Sequence, residues 1–171
     1  MLSAETAVGD YPVETIESMA RICLNAENET EESSVDRRLE RNKFTRIDQS
    51  IAMSALYAAS HFGVKAIVAL TQSGSTALWM SRISAITPIF ALTPMEATLS
   101  KVTLFSGVHP IAFMSESQDH SVTLRQAEDE LLRLKLVEIG ELIVMTVGEA
   151  IGKAGHTNTM KIVRVGDHRK K

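Results

Sequence analysis

"KAIVALTQSGSTALWM", residues 65–80, runs from an unbroken apolar stretch into a cluster of small hydroxyl residues around Gly74 and then back to apolar residues. Ala66 to Leu70 shows no polar alternation, the pattern of a strand covered on both faces by helices in a parallel sheet. The hydroxyl cluster then opens a helix expected from about Ser75 to Ser84. A strand, a turn and a helix in that order predict an α/β domain.

The same alternation continues on both sides. Upstream, Ile51, Ala55, Ala58 and Phe62 form a helical stripe that Gly63 should stop. Downstream, "PIFALT" from Pro88 reads as a second buried strand. Thr93, Pro94 and Glu96 then read as a capping box, followed by a buried stripe of Met95, Leu99 and Val102 and a stop at Gly107. "VHPIAFM" from Val108 is a third strand, in which Pro110 suits an edge or a beginning. Leu124, Ala127, Leu131 and Leu134 mark a covering helix, and "ELIVMTV" from Glu141 is the fourth strand. After a glycine-spaced loop, Gly148 to Asn158, "TMKIVRV" is a strand with no room for a crossover helix, which makes it an antiparallel partner. The prediction is a three-layer α/β/α domain over residues 47–171, with a five-stranded, mostly parallel sheet whose last strand is antiparallel.

The amino-terminal part differs. Val13, Ile16, Ala20 and Cys23 follow helical spacing after Pro12, which suits a first turn, so a helix is expected over roughly residues 12 to 26. "NETEESSVDRRLERNKFTR", residues 28–46, is too charged to build a core and reads as a solvated connector. The lone Cys23 excludes an internal disulfide, is expected to be a small buried residue, and suits a reducing, cytoplasmic setting. No stretch approaches the roughly 18 apolar residues of a membrane span. At 171 residues and 44% hydrophobic content the chain can bury an ordinary core. Its net charge of −3 removes any general attraction to nucleic acid or anionic membrane, so an anion site must be local.

Two segments could make such a site. In "TQSGST", residues 71–76, Gly74 permits close approach of backbone, Ser73, Ser75 and Thr76 offer hydroxyls, and a helix amino terminus adds free amides. Ligands of parallel α/β sheets bind at this end of the strands. Ordinary helix capping by the same residues is the competing reading. In "GEAIGKAGHTNT", residues 148–159, no helix follows the glycines, which excludes a dinucleotide fingerprint. Lys153, His156, Thr157 and Asn158 there could instead close over an anion held by the first loop. His61, His109 and His120 have no partners at metal-ligand spacing, so no metal site is assigned. Trp79 has two readings, stacking on a ligand or packing at the domain surface.

"SAETAVGDYPVETIESMARIC", residues 3–23, resembles the "ETA-x-G-x-YP" segment that ends the catalytic barrel of pyruvate kinases. "ALTQSGSTALWMSRIS", "PIFALTP", "LFSGVHPI" and "GHTNTMKIVRV" are similar, in order, to the carboxy-terminal domain of that family. The resemblance implies that residues 1–27 correspond to the last strand and helix of a (β/α)8 barrel, with 28–46 as linker. It implies phosphoryl transfer from phosphoenolpyruvate to ADP, giving pyruvate and ATP in glycolysis, with Mg²⁺ and K⁺ as cofactors of the full-length enzyme. Most catalytic groups of the family precede this segment. Thr6 alone matches one, a hydroxyl facing the reacting phosphate. This chain by itself is therefore expected to bind neither metal and to be inactive, since a closed barrel cannot form from one strand and one helix.

The carboxy-terminal domain of the family carries an allosteric site, and the resemblance assigns to it Thr71, Gln72, Ser73, Gly74, Ser75, Thr76, Lys153, Gly155, His156 and Thr157. Many relatives have arginine at the position of Ser75 and others a small hydroxyl residue. Without that cation, a sugar monophosphate or AMP is at least as good a candidate as fructose 1,6-bisphosphate. Homo-oligomers, tetramers in the family, are expected. Two other readings are a standalone sensor of a phosphorylated metabolite and an oligomerisation domain.

Overall fold

The computed structural model describes residues 4–31, 44–83, 87–115, 117, 119–148 and 156–169. Contacts divide the chain into two compact units, Met1–Ser34 and Val35–Lys171.

The first unit contains α1 (Ala4–Ala7) and α2 (Pro12–Glu31). Pro12 opens α2 as expected, but the helix continues past residue 26 into residues assigned to the connector, most of which lie outside the described residues. α1 is helical where the resemblance implies a strand end; its Ala4 carbonyl accepts from the Val8 amide, a bond that needs no neighbouring strand. Cys23 is exposed rather than buried. Among the described residues of its unit, α2 has only the short α1 beside it, and Val13 and Ile16 are exposed as well.

The second unit runs α3 (Ile47–His61), β1 (Ala66–Leu70), α4 (Ser75–Ser81), β2 (Ile89–Thr93), α5 (Glu96–Val102), β3 (Val108–Ala112), α6 (His120–Arg133), β4 (Leu142–Gly148) and β5 (Thr157–Arg164), ending in a 3₁₀ turn, Asp167–Arg169. The five strands lie in the order β3-β2-β1-β4-β5, parallel except for β5. Because successive strand residues face opposite sides, the sheet builds two cores. Ile67, Ala69, Ile89, Ala91 and Val144 pack under α3, α4 and Val102 of α5. Ala66, Val68, Phe90, Leu92, Ile143 and Met145 pack under Leu124, Ala127 and Leu131 of α6. The result is the three-layer α/β/α domain that the apolar runs predicted. Pro110 sits on β3, which pairs only with β2, so its missing amide falls at a sheet edge.

Four local expectations differ from the structure. α3 buries Ala52, Met53, Ala55, Leu56 and Ala59, whereas Phe62 of the predicted stripe is exposed; Gly63, at φ +58°, does end the helix. The capping box does not form. Thr93 is the last residue of β2, fully buried, and its hydroxyl accepts from the Met95 amide, so the helix starts at Glu96 with Met95 as its cap. The buried face of α5 is then Thr98 and Val102, with Met95 exposed and Leu99 half-buried. α4 ends at Ser81 rather than Ser84, and residue 84 lies outside the described residues.

Candidate anion-binding site

The strand order fixes where a ligand can enter. The chain proceeds outward from β1 to β2 and β3, then returns to place β4 on the other side of β1, so the connections leaving β1 and β4 part from neighbouring strands. In open α/β sheets ligands bind at the carboxyl ends of the strands where the order reverses, here β1 and β4. The loop of residues 71–74 leaves β1 at this rim. β5, antiparallel to β4, begins at the same rim, with Thr157 opposite Gly148.

Local bonds hold the loop. The Thr71 amide extends the β1–β2 ladder by donating to the Leu92 carbonyl, and the Thr71 hydroxyl accepts from the Gly74 amide at 2.9 Å. Gly74 lies at φ +76°, which disfavours other residues, and a Cβ there would meet Val102 Cγ1 at 2.8 Å. The loop carbonyls are tied to α5. Thr98 Oγ1 donates to the Gln72 carbonyl at 2.6 Å, and Lys101 Nζ to the Ser73 carbonyl at 3.1 Å. With the carbonyls drawn toward α5, the amides of Ser75, Thr76 and Ala77, at the start of α4, have no acceptor within their own helix. Gln72, Ser73 and Ser75 are half-buried. Free amides, a helix dipole and nearby hydroxyls form a donor set for an oxyanion.

The second segment reaches the same rim through a buried contact. Thr76 Oγ1 and Thr157 Oγ1 are 2.7 Å apart, and both residues are buried. At the β4–β5 bulge the chains approach so closely that a Cβ on Gly148 would lie 2.6 Å from the His156 carbonyl oxygen. His156 is exposed beside this junction. Lys153 and Gly155, also assigned to the site from sequence, lie outside the described residues.

The remaining residues sort plainly. Thr76 and Thr157 spend their hydroxyls on each other and align the two segments. Trp79 packs partly buried against the first core, with the Arg82 guanidinium carbon 4.5 Å from its ring centroid, which favours packing over ligand stacking. Thr6 is half-buried on α1 of the first unit. His61 stacks on Tyr57, and His109 lies against Phe90. Among the described residues no group of three or more His, Cys, Asp or Glu side chains could hold a metal ion, and no helix is long and apolar enough to cross a membrane. Sequence reasoning missed Thr98 and Lys101. They sit on the next helix, and only the fold brings them under the loop.

The chain matches the family model described as pyruvate kinase, alpha/beta domain, over residues 49–163. It is 42% identical over 166 residues to the pyruvate kinase of Buchnera aphidicola subsp. Baizongia pistaciae, an alignment covering 96% of this chain and 34% of that protein. It is 43% identical over 166 residues to pyruvate kinase II of Salmonella typhimurium, with coverage again 96% and 34%. Against the pyruvate kinase of Bacillus licheniformis the identity is 37% over 170 residues, covering 98% of this chain and 28% of that protein. The chain spans about a third of the length of these relatives.

Proposed function

Because this chain belongs to the pyruvate kinase family and carries its alpha/beta domain, we propose that it provides the allosteric effector site of a pyruvate kinase, gripping the phosphoryl group of a small metabolite at the β1–β4 rim. The observation that supports this most is the Thr76–Thr157 contact, which joins the loop of residues 71–76 to the start of β5 at the sheet end where ligands of this fold class bind.

In this reading the amides opening α4 and the hydroxyls of Ser73 and Ser75 receive the phosphoryl oxygens, while Thr71, Gly74, Thr76 and Thr157 hold the donors in place. Gln72, Lys153, Gly155 and His156 close over the rest of the effector. With a hydroxyl rather than a guanidinium at residue 75, a sugar monophosphate or AMP suits the loop at least as well as fructose 1,6-bisphosphate. Lys101, already against the Ser73 carbonyl, adds one cation nearby.

Phosphoryl transfer from phosphoenolpyruvate to ADP belongs, in this proposal, to the longer family enzyme, with Thr6 facing the reacting phosphate there. Mg²⁺ and K⁺ belong to that longer enzyme in this reading, and no step through either is assigned to the described residues. A cytoplasmic homo-oligomer is part of the same reading.

Calorimetric titration of the chain with a sugar monophosphate, AMP and fructose 1,6-bisphosphate tests the proposal. Saturable binding of at least one is expected, and no heat from any of them rejects it. In a coupled assay with phosphoenolpyruvate, ADP, Mg²⁺ and K⁺, the 171-residue chain alone should show no turnover.

A further inference from the structure

On the opposite face of the sheet, away from α4 and α5, a half-open cavity of about 320 Å³ lies between α6 and β5, bordered by the 3₁₀ turn, with Arg125 and Lys161 exposed at its mouth. Its floor is apolar, made by Leu124, Met145 and Val163. Lys161 pairs with Met145 across the β4–β5 ladder and precedes Val163 by two residues, so it shares the face that looks toward α6. Arg125 comes from α6 on the other side.

The charges in this cavity are not balanced as they are nearby. Glu128, buried on α6, is committed to the chain's own turn: its Oε1 accepts from the Gly166 amide at 2.6 Å and lies 3.2 Å from His168 Nδ1. Arg164 donates to the Gly140 carbonyl at 2.7 Å, and Asp167 is engaged in a contact of its own. Two neighbouring cations hold carboxylates, Arg133 on Glu130 and Arg169 on Asp129. Among the described residues, no hydrogen bond or ion pair occupies the side chain of Arg125 or Lys161.

We infer that this cavity is a second ligand site, distinct from the β1–β4 rim, for a small phosphate monoester with an apolar body. A guanidinium and an ammonium facing one space match a dianion, the planar fork of arginine taking two oxygens and the lysine a third. The apolar floor receives the organic part. The volume, roughly ten times the share of one water molecule in the liquid, admits a phosphate attached to a single small ring. The site does not depend on the effector reading, because it shares no residue with the rim.

Phenyl phosphate is the probe, followed through the amide resonances of the isotopically labelled 171-residue chain, with benzoate as the carboxylate comparison. The site predicts saturable shifts centred on residues 124–128, 161–163 and 168, with phenyl phosphate binding more tightly than benzoate. The double variant Arg125→Gln/Lys161→Gln keeps the folded spectrum and binds roughly tenfold more weakly or worse. Arg125→Lys/Lys161→Arg keeps the charge and most of the affinity. Shifts confined to residues 71–77, equal or tighter binding of benzoate, affinity unchanged in the Gln variant, or no saturable shift would each overturn the inference.

Discussion

Thr76 and Thr157, separated by 81 positions in sequence, share a buried hydrogen bond of 2.7 Å that joins the loop after β1 to the first residue of β5. Thr76→Val or Thr157→Val leaves the other hydroxyl buried without this partner and should cost about 1–3 kcal/mol. The double substitution replaces both by similar shapes and should cost clearly less than the sum of the singles. Urea denaturation of the four proteins measures the coupling, and additive effects would show that the bond contributes nothing.

Gly74 meets two constraints at once, a positive φ and a Cβ position 2.8 Å from Val102 Cγ1. Gly74→Ala should destabilise the domain by roughly 1–3 kcal/mol and weaken effector binding. Adding Val102→Ala relieves the collision but not the backbone strain, and it opens a cavity in the first core. It should therefore not restore wild-type stability, as thermal unfolding would record.

Lys101 holds the Ser73 carbonyl from an exposed position. Lys101→Met should leave stability within about 0.5 kcal/mol while weakening effector binding and flattening its dependence on salt. Calorimetry at low and high ionic strength separates these effects; unchanged affinity at both would remove Lys101 from the site.

Glu130 accepts from Arg133 at 2.6 and 2.8 Å, and this hydrogen bonding holds its carboxyl below the ordinary carboxylate range. A depressed folded-state value means the pair's contribution is present above the unfolded value, about 4.3, and is lost as pH falls through the folded-state value. Arg133 is exposed and Glu130 half-buried at the surface, so the stability effect is small. The side-chain resonance of Glu130 should titrate below that value in the wild type and move up in Arg133→Gln; titration at or above it in the wild type would contradict the geometry.

What the sequence disclosed follows the range of each interaction. β1 was legible residue by residue because burial on both faces leaves an unbroken apolar run, and Pro110 pointed to an edge because its missing amide is a local fact. The start of α5 was misread because Thr93 can cap a helix or end a strand, and the full burial of β2 decides between them. The stripe on α3 was offset because small residues such as Ala52 and Ala59 lie closest to the sheet, while Phe62 falls past the helix end. The hydroxyl cluster could be located as a donor set. The contacts that shape it, from Thr98, Lys101 and Thr157, come from 26 to 81 residues away and leave no local pattern.

The amides of Ser75, Thr76, Ala77 and Thr157, followed during titration of the labelled chain with AMP and with a sugar monophosphate, report on the rim itself. A phosphoryl group seated there predicts saturable shifts at these four positions with at least one of the two ligands. Unmoved resonances at all four, with both ligands at saturating concentration, would contradict the account.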